Sequence, residues 1–298
     1  MSVIYRPRTI KRDRRSNARI EQLDRQILDV LREDHPQSVR HVFYRMTNPR
    51  LSEPVEKSDR GYRHVQDRIK KLRRGGELPY EWITDTSRRG YHTVTYSGAA
   101  DFLRRMSGLY RADLWSDLPT YCEVWVESRS IAGIVQEDCE ELAVSLYPAG
   151  GFSSITFAFE AAQYINEEHN GRDVVIFFIG DYDPAGVHID KALERELCEH
   201  LEPDVSLEFI RLGITPEQIE RLDLPTKPRK EGDLRARHIK ETVEAEAMPA
   251  AIMRGILRNA IEALLPPRAL AVAKAAEESQ RESIIDLADQ VEEAGGAI

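Results

Sequence analysis

The chain has 298 residues, of which 41% are hydrophobic and 31% are charged, as is typical of a globular protein and not of a disordered chain. No apolar run approaches the roughly 20 residues that a membrane-spanning helix needs. The basic start of the chain lacks the apolar segment of a signal peptide, and the three cysteines show no metal-binding spacing. These features exclude a membrane span and predict a reduced, cytoplasmic setting.

Charge is unevenly distributed along the chain. Residues 1–115 carry 25 Lys and Arg against 15 Asp and Glu, whereas residues 116–298 carry 17 against 36. The basic half can attract a polyanion such as double-stranded DNA, but the acidic half would repel it unless cations were held by its carboxylates. The alternative interpretation is that the two halves only carry solvated surfaces of opposite charge. The motifs described below favour DNA binding.

The first half predicts three helices with one apolar stripe each. Apolar residues recur at helical spacing in residues 20–31 and in residues 39–46. A third helix is expected at about Arg60–Arg74, because Gly75-Gly76 follows it and glycine commonly ends a helix. The outward face of this third helix carries three candidate DNA-binding residues: Arg63, Lys71 and Arg74.

A hairpin is predicted after the third helix. Two strands, Tyr80–Thr84 and Tyr91–Tyr96, are expected on either side of a basic turn that contains Arg88 and Arg89, two further candidate DNA-binding residues. Three helices followed by a basic-tipped hairpin are the outline of a winged helix, which places one helix in the major groove of DNA. The sequence therefore predicts a winged-helix domain over residues 1–115. A small helical domain with an ordinary basic surface is the alternative.

Tyr44 is the candidate nucleophile of this half. It lies about 150° from the centre of the apolar stripe of its helix, so we expect it to face away from the core. Arg40 and Arg45 lie nearby in sequence. A phenol among cations can attack a phosphodiester while the cations stabilise the developing charge. The alternative is a surface tyrosine that stacks on a phosphate or donates a hydrogen bond to it.

The second half, residues 116–298, alternates strand patterns with helix patterns. This alternation predicts an α/β fold with a parallel sheet and helices on both faces. One predicted strand is almost wholly apolar, as expected in the middle of such a sheet. The predicted strands are Cys122–Glu127, Val144–Tyr147, Asp173–Ile179 and Leu207–Leu212.

Three carboxylates follow two of these strands. Glu127 ends the first strand, and Asp181 and Asp183 follow the third. Ligands of parallel sheets bind at the carboxyl ends of the strands, and Pro184 and Gly186 predict a turn that keeps both aspartates near the sheet edge. Carboxylate oxygens suit Mg²⁺, so these residues predict a magnesium site. A helix cap followed by a polar turn is the alternative for the aspartate pair alone.

These motifs resemble a known family. The strand ending in Glu127, the turn at residues 151–154 and the GDYDPAG motif at residues 180–186 resemble a Toprim domain, most closely that of the topoisomerase VI A subunit and its relatives. The relatives include the meiotic double-strand-break transesterase, and they place a winged helix before a Toprim-like Rossmannoid sheet. Residues 40–45 match the Arg-x-x-Tyr-Tyr-like segment that carries their catalytic tyrosine. The resemblance covers roughly residues 20–215.

The resemblance implies a Mg²⁺-dependent enzyme that cleaves both strands of DNA as a homodimer. Tyr44 would form a 5′-phosphotyrosyl link, assisted by Arg40 and Arg45, and Mg²⁺ would be held by Glu127 and the two aspartates. A GHKL-type ATPase B subunit or another complex partner and a nucleoid-associated location are also implied. Two alternatives remain open: a hydrolytic Toprim nuclease in which Tyr44 is not the nucleophile, and a DNA-binding module that does not cleave.

The chain departs from the family pattern after its first carboxylate. Ser128-Arg129 follow Glu127, where the family commonly has lysine. A related branch, the nuclease subunit of the Wadjet plasmid-defence system, keeps both domains without relying on a tyrosine. Near the C-terminus, Glu244 and Glu246 are candidates for an additional ligand, and amphipathic helices are expected over Met253–Leu265 and Ala269–Val291.

Overall fold

The computed structural model describes residues 15–84, 93–150, 155–168, 171–229 and 239–295. The chain divides into two compact units, Met1–Ile83 and Thr84–Ile298. The described part of the first unit is helical, and the second unit contains a β-sheet. None of the described helices is both long enough and apolar enough to cross a membrane.

The elements of the described residues have the following bounds. The helices are α1 (Asn17–Glu33), α2 (Val39–Met46), α3 (Asp59–Arg74), α4 (Ala99–Ser107), α5 (Arg129–Glu141), α6 (Ile155–Glu168), α7 (Gly186–His200), α8 (Pro216–Arg221), α9 (Ala250–Glu262) and α10 (Ala269–Gly295). The strands are β1 (Thr120–Val126), β2 (Ser145–Pro148), β3 (Asp173–Ile179), β4 (Leu207–Gly213), β5 (Lys227–Pro228) and β6 (Glu241–Thr242). Two single-turn 3₁₀ helices cover Tyr80–Trp82 and Ala245–Ala247.

The first unit packs α1, α2 and α3 against one another. Each of these helices begins after a serine whose hydroxyl accepts a hydrogen bond from a backbone N–H of the first turn, a cap typically worth about 1 kcal/mol. The apolar stripes predicted for the three helices form the core, and the three predicted helices are confirmed. The fully or almost fully buried members of this core are Leu23, Ile27, Leu31, Val42, Met46, Val65, Ile69 and Leu72.

The prediction of a strand over Tyr80–Thr84, the first strand of the wing, is wrong. Tyr80–Trp82 form a 3₁₀ turn, and Ile83 makes only an isolated bridge to Gln37. This segment turns back onto the start of α2, where the Trp82 ring stacks on His35 with 4.4 Å between centroids. Residues 93–96 have no regular structure, and the predicted turn with Arg88 and Arg89 lies outside the described residues. The described part of the first unit is thus a three-helix assembly.

The second unit contains a parallel four-stranded sheet of order β2-β1-β3-β4. All four strands were predicted from the sequence, β3 with the same bounds. The strands β1 and β3 are central, and both are buried along nearly their whole length, as expected when helices cover both faces of a parallel sheet.

Helices flank this sheet. One face packs Tyr121, Trp125 and Phe178 against α6 and α7. The residues that point to the other face, such as Val124 and Phe177, are buried as well, and α5 and α9 pack together and contact β1 and β4. The predicted α/β fold with a parallel sheet flanked by helices is therefore confirmed, and this arrangement is compatible with a Rossmann-like core.

The division between the two units differs from the predicted position at residue 115. The structure divides the chain after Ile83, and α4 packs against the C-terminal helix α10. The Arg104 guanidinium on α4 donates to Asp289 at 2.7 Å and also to Glu292. Because α4 contains few strongly apolar residues and is only nine residues long, its sequence alone does not reveal this packing.

Candidate metal centre

The site lies where the sheet order reverses. The chain leaves β1 to form β2 on one side and later returns to form β3 on the other side. The carboxyl ends of β1 and β3 therefore border a switch point, where open α/β sheets bind ligands. Val126 pairs with Ile179, and the Glu127 N–H donates to the Ile179 carbonyl at 2.9 Å. This register places Glu127 beside the segment that carries Asp181 and Asp183.

Hydrogen bonds connect the first carboxylate to the aspartate segment. The Asp181 N–H donates to Glu127 Oε2 at 2.8 Å, and the Gly186 N–H donates to Asp183 Oδ1 at 2.6 Å. A Cβ atom on Gly180 would lie 2.7 Å from Glu127 Oε2, so only glycine allows this close approach. The structure thus brings Glu127 against the backbone of the aspartate segment, as the sequence predicts.

Ser128, the residue after Glu127, has a structural role at the start of α5. It is the N-cap of α5, and its hydroxyl accepts a hydrogen bond from the Ile131 N–H at 3.3 Å. A short polar residue at this position satisfies the first turn of the helix. Glu127 is therefore held between the end of β1 and the start of α5.

A second acidic segment reaches the same edge. Tyr182 and Val243 form an antiparallel bridge with both backbone hydrogen bonds at 2.8 and 2.9 Å. The Ala245 N–H then donates to Asp181 Oδ1 at 2.8 Å. Glu244 and Glu246 follow this bridge directly, so both candidate extra ligands lie near the aspartate segment. Glu246 accepts a hydrogen bond from the Ser130 hydroxyl, and Glu244 pairs with Lys227 Nζ at 2.5 Å.

Burial and mutual repulsion raise the pKa values of two carboxylates in this cluster. Burial raises the pKa of Asp181 to about 8, and the charges of Glu127, Glu246 and Glu244 contribute in the same direction. Burial also raises the pKa of Glu127, against the hydrogen bond from the Asp181 N–H, and the charge of Asp183 adds to the rise. A cation bound among these groups would lower both pKa values.

The donor set fits Mg²⁺ in its chemistry. It consists of carboxylate oxygens from the ends of separate strands, which are the hard ligands that Mg²⁺ prefers. Within the described ranges no three His, Cys, Asp or Glu side chains have the spacing of a formed metal site. The carboxylates of Glu127, Asp181 and Asp183 are neighbours at this edge of the sheet, and their sharing of one ion stays a prediction.

The predicted exposure of Tyr44 is wrong. Its side chain is only 5% exposed, and its ring lies 5.3 Å from that of Phe43 and 5.6 Å from Lys57 Nζ. A single apolar stripe assumes that one side of a helix is covered, whereas α2 contacts both α1 and α3. The chain after α2 also returns to it, since the Val55 N–H donates to the Met46 carbonyl at 2.8 Å.

The two arginines predicted to assist Tyr44 have other neighbours. Arg45 pairs with Glu33 at 2.5 Å, and the Arg40 guanidinium lies over the Tyr62 ring, 4.8 Å from its centroid. The geometry of the first unit therefore shows Tyr44 packed within the helices and not presented among free cations.

The candidate DNA-binding residues of α3 are exposed. Arg63, Lys71 and Arg74 all lie on the solvent side of a helix whose other side buries Val65, Ile69 and Leu72. None of the three basic residues forms an ion pair with any residue that the structure describes. Their exposure agrees with the expected outward face of α3, and their binding of DNA stays a prediction.

One residue of the site has no counterpart in the sequence analysis. Arg211 on β4 donates hydrogen bonds to the backbone of the aspartate segment, and an arginine within a strand pattern gives no signal of such a role. The glycine- and serine-rich turn at residues 151–154, which contributes to the Toprim resemblance, lies outside the described residues.

Comparison with known proteins gives no family for this chain. No protein-family model, no curated protein and no solved structure matches it. The function is accordingly argued from the residues and the geometry of this chain.

Proposed function

We propose that the protein is a Mg²⁺-dependent nuclease that cleaves double-stranded DNA by hydrolysis, with a Toprim-like centre of Glu127, Asp181 and Asp183. The observation that carries the proposal is the meeting of Glu127 and Asp181 at the switch point of a parallel sheet, with the Asp181 N–H on Glu127 Oε2. Burial and neighbouring carboxylates raise the pKa of Asp181 to about 8, which is typical of a functional cluster.

The acidic side chains of the centre are the proposed ligands of the ion. Glu127 and the two aspartates would hold the ion, with Glu246 beside them. When bound, Mg²⁺ would offset the charge of the carboxylates and of a DNA phosphate and would activate a water molecule. The hydrogen bonds from Gly186 to Asp183 and from Ala245 to Asp181 orient the carboxylates before substrate arrives.

Hydrolysis is favoured over attack by Tyr44 because of the burial of this residue. A phenol that is 5% exposed cannot reach a phosphodiester without rearrangement of α2 and the segment that covers it. Water needs no such rearrangement. The exposed basic face of α3 supports duplex DNA as the substrate, and a homodimer remains part of the proposal.

The chemistry of the cut ends tests this proposal. Tyr44→Phe is expected to retain DNA cleavage in Mg²⁺ within about two-fold of wild type, because the hydroxyl takes no part in hydrolysis. The measurement is cleavage of a labelled duplex, with the ends examined for free 5′-phosphate and 3′-hydroxyl groups. Tyr62→Phe, in the neighbouring helix, is the matched control.

Each competing function gives a different result in this experiment. A covalent protein–DNA adduct that disappears in Tyr44→Phe would overturn hydrolysis in favour of a topoisomerase VI A-like transesterase. If the protein binds duplex DNA but does not cleave it in Mg²⁺ or Mn²⁺, both the nuclease and the transesterase are overturned, and a DNA-binding module is left.

The basic face of α3 is expected to bind the DNA backbone. Arg63→Ala, Lys71→Ala and Arg74→Ala should each weaken duplex binding regardless of sequence, and each should lower the salt slope of the binding constant by about 1. The measurement is fluorescence anisotropy over a series of salt concentrations. Arg32→Ala is the control, because Arg32 is exposed on α1 but pairs with Asp29. An unchanged slope in all three variants would contradict the assignment of this face.

A further inference from the structure

Arg211 is the most extensively hydrogen-bonded side chain near the candidate metal centre. It lies on β4, and its side chain is 17% exposed. Its guanidinium donates to four backbone carbonyls around the aspartate segment, those of Gly180 (3.2 Å), Asp181, Gly186 (3.4 Å) and Ile214 (3.1 Å). Three of these carbonyls belong to the two ends of the segment that carries the two aspartates, and that of Ile214 directly follows β4.

Asp190 fixes the guanidinium from the other side. This buried carboxylate on α7 accepts a hydrogen bond from Arg211 Nη1 at 2.8 Å and another from the Lys191 N–H at 2.7 Å. The helix α7 starts at Gly186, the residue at which the aspartate segment ends. The ion pair therefore joins β4, α7 and the aspartate segment through one planar group.

We infer that Arg211 is a positioning residue for the carboxylate centre: it holds the backbone of residues 180–186 so that Asp181 and Asp183 stay beside Glu127. The argument is geometric. The guanidinium presents N–H donors in a fixed plane, and here they reach carbonyls at the two ends of one turn. An ammonium group has three donors on a flexible stem, so lysine keeps the charge but cannot reproduce this arrangement. The inference rests on the proposed function for the identity of the ligand.

The test is the affinity of the intact protein for Mn²⁺, measured by electron paramagnetic resonance. Arg211→Lys is expected to weaken Mn²⁺ binding about 10- to 100-fold, the usual cost of losing a residue that orients metal ligands. Arg258→Lys is the matched control, because Arg258 pairs with Asp138, Glu141 and Glu262 away from the centre. Both variants should lower the unfolding temperature, but only Arg211→Lys should change the affinity for Mn²⁺.

Hydrogen exchange of the metal-free protein gives a second readout. The amides of Asp181, Gly186 and Ala245 all donate to carboxylates of the centre. Arg211→Lys should speed their exchange, whereas Arg258→Lys should leave it unchanged.

The outcomes separate this inference from the proposed function. If Arg211→Lys binds Mn²⁺ like wild type and its three amides exchange at the wild-type rate, the positioning role is overturned while the metal centre stands. If wild type binds no Mn²⁺, or if Asp181→Asn binds it equally well, the metal centre itself fails. In that case the exchange rates alone support or overturn the role of Arg211 in holding the segment.

Discussion

Asp181→Asn is expected to reduce Mg²⁺-dependent DNA cleavage by roughly 10²- to 10⁴-fold, the equivalent of several kcal/mol of lost charge stabilisation. The amide keeps the shape of the side chain and can still accept the hydrogen bond that the Ala245 N–H donates to Oδ1. It removes the negative charge that would bind the ion. The loss should therefore appear in cleavage and in the affinity for Mn²⁺ and not in the fold.

The same substitution should stabilise the metal-free protein. Asp181 is a largely buried carboxylate beside Glu127, Glu244 and Glu246, and burial is the largest cause of its raised pKa. Replacing it by a neutral amide removes both the desolvation cost and the repulsion. Thermal unfolding in the presence of a chelator should show a higher midpoint for Asp181→Asn than for wild type. A function-bearing residue that costs stability is common in enzymes.

Asp173→Asn provides the control. Asp173 is the first residue of β3, the strand that Asp181 follows, and it is exposed at the opposite end of that strand. Its substitution should change neither cleavage nor Mn²⁺ affinity. Full cleavage by Asp181→Asn, with Asp173→Asn also active, would contradict the assignment of the catalytic centre.

The sheet and its acidic edge could be predicted from the sequence because two strong signals agree there. The run Asp173–Ile179 is short, apolar and rich in β-branched and aromatic residues, which favours a buried strand, and Asp181 and Asp183 follow it closely. The alternation of strands and helices predicts parallel strands, and parallel strands all end at one edge, so the carboxylates after β1 and β3 are expected at the same rim. The structure then places Glu127 against Asp181, as expected.

The environment of Tyr44 could not be predicted because helical periodicity reports only the strongest apolar face. Tyr44 and His41 are both buried on the side that the stripe of α2 assigns to solvent. The irregular chain after α2 returns to this helix, since the Val55 N–H donates to the Met46 carbonyl and Lys57 Nζ lies 5.6 Å from the centroid of the Tyr44 ring. Such a segment has no period, so its packing does not appear in a pattern analysis.

Arg211 and Glu246 illustrate a different limit. Their roles depend on which carbonyl or hydroxyl lies within hydrogen-bond distance in the folded chain, as for Arg211 with Gly180 and for Glu246 with Ser130. Ser130 and Glu246 are 116 residues apart in sequence. Residue type alone identifies Arg211 only as a charged group. Glu246 is already a candidate ligand in the sequence, but its hydrogen bond with Ser130 is visible only in the folded chain.

A second carboxylate of β1 lies in the core, on the face covered by α6 and α7. Glu123 is fully buried, and its two oxygens accept hydrogen bonds from the Tyr121 hydroxyl at 2.9 Å and the Trp125 indole at 2.7 Å. The Tyr147 ring stacks on Trp125, 5.2 Å away. Burial raises the pKa of Glu123 to about 7, although the hydrogen bonds from Trp125, Tyr121 and Tyr147 oppose the rise. Burial likewise raises the pKa of Tyr121 and Tyr147, so both phenols remain neutral donors.

Glu123→Gln is therefore expected to stabilise the protein at alkaline pH. In wild type the unfolded carboxyl ionises near pH 4.5, whereas the folded one keeps its proton until about pH 7. The folded state binds more protons between these values, so the free energy of unfolding falls as pH rises from 4.5 to 7 and stays low above it. The rise in the pKa of Glu123 from 4.5 to about 7 lowers the free energy of unfolding by about 3 kcal/mol at pH values above 7. Glutamine carries no charge, so the variant should gain up to that amount over wild type at pH 8 and little at pH 4.

Urea denaturation at pH 4 and pH 8 measures this effect, and the difference between variant and wild type removes the contributions of all other groups. Glutamine can satisfy both partners, because its carbonyl accepts from Trp125 while its amide donates to the Tyr121 oxygen. Glu208→Gln is the control, since Glu208 is exposed on β4 and its substitution should leave the pH dependence unchanged. A variant less stable than wild type by the same amount at both pH values would mean that the Glu123 carboxyl has the same pKa in the folded and the unfolded state, and it would contradict this prediction.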